Sequence, residues 1–268
     1  MLGAVVGDII GSAYEFGGIK TTDFPLFSDA SRFTDDTVIV LSVARALMGC
    51  MSHYGDRTTD ESFTAFMKSS MRKIGRKFPD AGYGRGFNGW LFAKHPRPYE
   101  SWGNLAAVRA TPIAWAFDDL ESVENFAKLS AELTHTHPEA VRGAQSMAGA
   151  VFLARTGHTK GDIRSYITGK YGYDLSRSID EIRPEYAYSS ACPRSVPEAF
   201  TAFLEGQSFE EVVRLAVSLG GDSDTLAAMS GAIAEPFYGI PTLIQVEAFG
   251  RLHRSLQYIA EKWEQWRN

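Results

Sequence analysis

Residues 33–49 read FTDDTVIVLSVARALMG, and how this stretch is assigned decides the fold. Taken alone, Val38 to Ser42 would pass for a strand, but Ala44, Ala46, Leu47 and Met48 carry the apolar pattern on with good helix formers. Thr34, Asp35 and Asp36 stand where a helix begins, with carboxylates placed to complement the positive end of its dipole. The stretch therefore predicts a buried helix that opens on two adjacent acids.

Upstream, residues 3–13 mix small and β-branched side chains, with Gly7 and Gly11 spaced i, i+4 on one helical face. A second helix can approach closely there. Downstream, helices are expected over 60–75, 104–115, 120–134, within the alanine-rich stretch 134–157 from Pro138 onward, and over 162–170, 196–204, 209–219, 226–234 and in a series over 243–266. Pro138 suits a helix start, and Asp118 or Asp119 suits a cap. The stretch PDAGYGRGFNGWLF, with Gly82, Gly84 and Gly86, predicts a loop, and 171–193 an irregular connection. No strand alternation recurs and no strand precedes a GxGxxG turn, so a doubly wound sheet is disfavoured. The expectation is an all-α, single-domain helical bundle over residues 1–268.

Composition narrows the function classes. Lys plus Arg number 27 against 32 acids, a formal charge of -5, and no sustained basic stripe offers itself to nucleic-acid phosphates. Cys50 and Cys192 fit no zinc or disulfide framework, so free thiols in a reducing, cytoplasmic setting are expected. No uncharged apolar run of about 18 residues suggests a membrane span. No heptad run fixes an oligomer, and a monomer is expected. The 25 glycines, roughly 9% against the ~7% of average proteins, stand largely beside Asp, Ser, Thr or Asn, where backbone shaped around a ligand is a natural use.

Chemistry concentrates at two helix mouths. Thr34, Asp35, Asp36 and Thr37 form one, and Gly220, Gly221, Asp222, Ser223, Asp224 and Thr225 form the other. Each could be a simple helix cap, although a cap needs one acceptor and the second mouth offers four. Together they supply an all-oxygen donor set suited to Mg²⁺ or Mn²⁺ rather than to zinc. Two such ions close together could hold a water or a substrate hydroxyl between them.

Four segments carry a resemblance to the ADP-ribosylglycohydrolase family: GDIIGSAYE at 7–15, FTDDT at 33–37, SWGN followed by Arg109 at 101–109, and GGDSDTLAAMSGAIAEPFYG at 220–239. The resemblance implies the compact orthogonal helical bundle of that family. It also implies a binuclear magnesium centre, with Mn²⁺ able to substitute, held by Thr34, Asp35, Asp36, Asp222, Asp224 and Thr225. Asp35, Asp36 and Glu15 are the implied catalytic carboxylates, with Glu15 resembling a mobile acid that caps the site. His135 resembles the family histidine near the distal ribose and phosphate. Gly82, Gly84, Ser101, Trp102, Gly103 and Asn104 are candidates for the diphosphate and nucleoside, Trp102 either stacking on the ligand or merely packed. The family pattern in this place is closer to GNG, whereas this chain has Gly103, Asn104 and Leu105, the leucine narrowing the loop.

The activity so implied is hydrolysis of the glycosidic bond at the anomeric carbon of ADP-ribose, releasing it from an arginine or serine side chain of a modified protein. Two alternatives stay open: a hydrolase of a free ADP-ribose derivative or another ribosyl conjugate, and a noncatalytic ADP-ribose-binding module.

Overall fold

Every residue of the first helix, α1 (Leu2–Gly11), is buried, so it has no solvent face and must be packed on all sides. The computed structural model describes residues 1–267. After α1 come α2 (Asp35–Tyr54), α3 (Asp60–Gly75), α4 (Arg85–Phe92), α5 (Leu105–Val108), α6 (Leu120–Glu132) and α7 (Pro138–Arg155). The chain continues through α8 (Lys160–Tyr171), α9 (Ile179–Ile182), α10 (Cys192–Glu205), α11 (Phe209–Ser218), α12 (Ser223–Tyr238), α13 (Thr242–Phe249) and α14 (Arg254–Arg267). Short 3₁₀ turns span Gly55–Arg57 and Thr111–Trp115. Among the described residues no β-sheet forms, so the bundle is all-α as the sequence predicts. Two isolated bridges, Tyr99 with His135 and Gly103 with Ala191, tie loops together.

Close packing of α1 on α12 positions the helix ends that carry the site. A β-carbon added at Gly3, Gly7 or Gly11 would overlap the backbone of Gly231, Ala227 or Ser223 respectively. Those partners lie four apart and run in the opposite sense, so α1 and α12 are antiparallel, with small residues facing small residues. Ser223 Oγ donates to the Gly11 carbonyl at 3.0 Å, and the Glu235 carboxylate accepts from the Gly3 N–H at 2.7 Å, fixing both ends of the pair. Antiparallel pairing brings the C-terminal end of α1, and Glu15 just beyond it, against the N-terminus of α12.

The apolar body of α2 packs against α1, α3 and α14. By length and composition α2 could cross a membrane, but its apolar residues are largely buried inside the bundle. Helix α7 contacts α5, α6, α8, α10 and α12, and one buried apolar cluster runs from α1 to Trp263 of α14. Cys50 and Cys192 are buried free thiols.

Three departures from the sequence reading have clear causes. Residues 85–92 are a helix rather than loop, because Phe87, Trp90 and Leu91 form a buried i, i+3, i+4 face despite the flanking glycines. The helix expected over 104–115 breaks into α5 and a 3₁₀ turn, since Pro112 has no N–H to continue the ladder. Thr111 Oγ1 donates to the Val108 carbonyl at 2.8 Å instead. The connection over 171–193 contains α9, closed by a capping box between Ser178 and Glu181.

Candidate active site

The mouths of α2 and α12, the end of α1 and the loops before α4 and α5 converge on one cleft of about 490 Å³. Glu15, Thr34, Asp35, Asp36, Asp222, Asp224 and Thr225 all line it, together with Gly82, Gly84, Ser101, Gly103, Asn104 and His135. Of the catalytic, metal and substrate residues implied by the resemblance, Trp102 alone lies outside this lining. Its ring is 56% exposed and meets His137 edge-on at 5.2 Å. His137 itself caps α7, its Nδ1 accepting from the Glu139 N–H at 3.2 Å.

Asp8 organises the first mouth. It is fully buried, and its carboxylate accepts from the Thr34 N–H at 2.9 Å, the Thr34 hydroxyl at 2.6 Å and the Thr37 N–H at 3.2 Å. Thr34 in turn caps α2, accepting from the Asp36 N–H at 3.3 Å. The cap thus uses threonine, and Asp35 and Asp36 remain available to the cleft. The Asp35 N–H is anchored to the Ala81 carbonyl at 2.8 Å, which draws the glycine-containing segment against the same mouth.

Gly220 and Gly221 form the second mouth, both with φ of +71°, a left-handed conformation that side chains resist. That turn aims Asp222 and Asp224 back toward α1. Asn104 Nδ2 donates to Asp222 Oδ2 at 2.7 Å, the Thr225 hydroxyl donates to Asp222 Oδ1 at 3.3 Å, and the Thr225 N–H donates to Asp224 Oδ1 at 2.9 Å. Ligand oxygens of Glu15, Asp222 and Asp224 lie within 4.8 Å of one another, a small acidic cluster able to coordinate a metal ion.

So many buried carboxylates resist ionising together. Burial, then the charges of Asp8 and Asp222, pushes Asp35 up to about 8. Half-buried Glu15 is raised to about 7 by its burial and by Asp222, against the pull of Arg32. Asp36 and Asp224 are driven well above the usual carboxylate range by burial and then by Asp35 and Asp222 respectively. Asp36 Oδ2 is buried without a hydrogen-bond partner. An oxygen-rich, electron-rich cluster with an orphaned carboxylate oxygen fits a hard divalent cation.

Beside the acids, the lining also carries cations and free N–H groups. Gly84 precedes α4, whose first-turn amides have no intrahelical acceptor, and Arg85 and Arg32 also line the cleft. The Gly103 and Asn104 amides, by contrast, are already bonded, to Ser101 Oγ at 3.2 Å and to the Ser190 carbonyl at 2.8 Å. Leu105 lines the cleft as the first residue of α5. His135 is buried beside Tyr99, its ring 5.3 Å away.

Sequence reasoning missed Asp8, Arg32, Arg85 and Tyr188, which also borders the cleft. A signal for Asp8 existed: it is the single charge in an otherwise apolar, glycine-notched helix.

The ADP-ribosylglycohydrolase family model matches residues 1–264. ADP-ribosylhydrolase ARH3 of Mus musculus is 27% identical, the match covering 90% of this chain and 83% of that protein. ADP-ribosylarginine hydrolase Tri1 of Pseudomonas putida is 22% identical over 90% of this chain and 70% of its own length. Among solved structures, one described as an ADP-ribosylglycohydrolase-related protein complex superposes with a TM-score of 0.69 at 23% identity, covering 100% of this chain and 96% of that one, and shares the fold. With a family match over almost its whole length and a common fold, this chain belongs to the ADP-ribosylglycohydrolase family.

Proposed function

We propose that the protein is a divalent-metal-dependent hydrolase that cleaves the glycosidic bond at the anomeric carbon of ADP-ribose, freeing ADP-ribose from an arginine or serine side chain of a modified protein. The observation that carries this reading is the meeting of the two acidic mouths and Glu15 in one cleft that backbone amides and the arginines Arg32 and Arg85 also line. Its volume lies in the range of small-molecule sites. The names of the mouse and Pseudomonas relatives support the substrate class.

Thr34, Asp35, Asp36, Asp222, Asp224 and Thr225 would hold two Mg²⁺ ions, or Mn²⁺ in their place, with Glu15 closing the set. Such ions, when bound, stabilise negative charge on ligand oxygens and lower the pKa of a coordinated water. The chain's own groups supply the rest. Asp8 fixes Thr34 and the first turn of α2, and Asn104 fixes Asp222, through the bonds described above, so little reorganisation is required when a ligand binds. Asp35 or Asp36 orients the attacking water and takes its proton. Glu15, titrating near neutrality, can carry a proton to the leaving group. The first turn of α4, with Gly82, Gly84 and Arg85, faces the diphosphate, and His135 and Ser101 border the sugar side.

The test is a side-by-side assay of serine-linked, arginine-linked and free small-molecule ADP-ribose conjugates with magnesium, following released ADP-ribose. Release from at least one protein-linked conjugate is expected. Turnover of free derivatives alone would contradict the proposed leaving group, and tight ADP-ribose binding without any turnover would make the protein a binding module.

A further inference from the structure

Arg109 is the largest charged group buried in the molecule, fully shielded from solvent and outside the cleft lining. Its Nη2 donates to the Ser130 carbonyl at 2.6 Å, the Ala131 carbonyl at 3.3 Å and the Thr134 hydroxyl oxygen at 2.8 Å. Ser130 and Ala131 are in the last turn of α6, where the negative end of the helix dipole favours a cation. A guanidinium has no acceptor, so at Thr134 the direction of the bond is settled: Arg109 donates and the hydroxyl oxygen accepts.

Thr134 Oγ1 also lies 2.6 Å from His135 Nδ1. The hydroxyl is buried and carries one hydrogen, and among the described residues its one acceptor is His135 Nδ1. If Nδ1 carried a proton, it would also donate to this oxygen and leave the hydroxyl hydrogen buried without a partner, an arrangement proteins avoid. The consistent arrangement is Arg109 to Thr134 to His135 Nδ1, each donating to the next. A neutral imidazole that accepts at Nδ1 carries its hydrogen on Nε2.

We infer that Arg109 is a positioning residue for the site: acting through the Thr134 hydroxyl, it locks His135 in the Nε2–H tautomer and so presents one fixed donor to a ligand oxygen in the cleft. This rests on the reading of His135 as a ligand-facing residue given above. Two further observations agree. Nε2 makes no hydrogen bond among the described residues and lies beside Gly103, where even a β-carbon would come within 3.1 Å of it. Burial and the Arg109 charge also hold the His135 ring well below its usual pKa, so it is neutral at physiological pH. Arg109 itself, lowered by burial to about 10, remains a cation there.

The experiment is a long-range ¹H–¹⁵N correlation spectrum of ¹⁵N-labelled full-length protein at pH 7, with His135 assigned by the signals lost in His135→Gln, paired with the Kd for free ADP-ribose. The wild-type ring should show the neutral Nε2–H pattern. Thr134→Val, which keeps the shape but removes the hydroxyl, should give a mixed or Nδ1–H tautomer and weaken ADP-ribose about tenfold, the scale of one lost hydrogen bond. Thr134→Ser should restore both. A wild-type Nδ1–H tautomer, or a Thr134→Val ring unchanged from wild type, overturns the relay. A tautomer that shifts with no change in Kd overturns its positioning role. The expected tautomer in a wild-type protein that binds no ADP-ribose supports the relay and removes the functional reading instead.

Discussion

At the scale of single residues, the site is a set of acids held where acids do not belong. Asp35 and Glu15 titrate near 8 and 7 in the fold, against about 4 for free carboxyls. The folded state therefore binds more protons than the unfolded chain across this interval, and stability falls as pH rises through it. The contribution is complete below about pH 4 and lost near pH 8. Thermal melts in EDTA should give a higher Tm at pH 5 than at pH 8, and magnesium should restore more at pH 8 than at pH 5. A Tm in EDTA that is equal at both values, or higher at pH 8, would contradict this picture of the cluster. The acids themselves were legible in the sequence because FTDDT and GGDSDT carry their chemistry in adjacent residues. Asp8 showed only as the lone charge of an apolar helix, and its role was hidden because its three hydrogen bonds exist only once α1 lies across the mouth of α2.

At the scale of elements, the α1 and α12 pair converts a glycine pattern into the geometry of the cleft. The sequence shows Gly7 and Gly11 as one bare face, but the partner helix becomes identifiable only in the fold, where Ser223, Ala227 and Gly231 answer Gly11, Gly7 and Gly3. Gly7→Ala should destabilise the protein by about 1–3 kcal/mol, because its methyl has no space to enter without moving backbone. Gly89→Ala is the control. It lies inside α4 with nothing within 4 Å of the added carbon, and should be neutral or stabilising by up to about 1 kcal/mol. Urea denaturation of both variants checks the contrast; equal stabilities would mean that the close helix contact is not what holds the two mouths together. Helix α4 shows how glycine misleads in the other direction. Its punctuation suggests a loop, yet three apolar side chains on one face are enough to form the helix.

At the scale of the whole molecule, segments more than two hundred residues apart build one cleft. Motif chemistry made the two ends of the chain recognisable as partners, whereas the basic and amide-rich wall was only partly visible. Gly82 and Gly84 stood out, but Arg32 and Arg85 carry no motif and reach the cleft through the loop before α2 and the first turn of α4. In the proposed reading, acids that would hold metal lie beside amides and arginines that would take an anion, which joins the cleft to a diphosphate-bearing conjugate. Asp224 lies at the centre of that claim. The most direct measurement is ADP-ribose release by wild type and Asp224→Ala, each stripped of metal and then supplied with magnesium, with helical circular dichroism as the check on folding. Wild-type turnover should vanish on stripping and return with magnesium, while Asp224→Ala keeps its helical signal and stays at least about a hundredfold slower, the scale of removing a major electrostatic contribution. Turnover at the wild-type level by Asp224→Ala after metal removal would contradict the account.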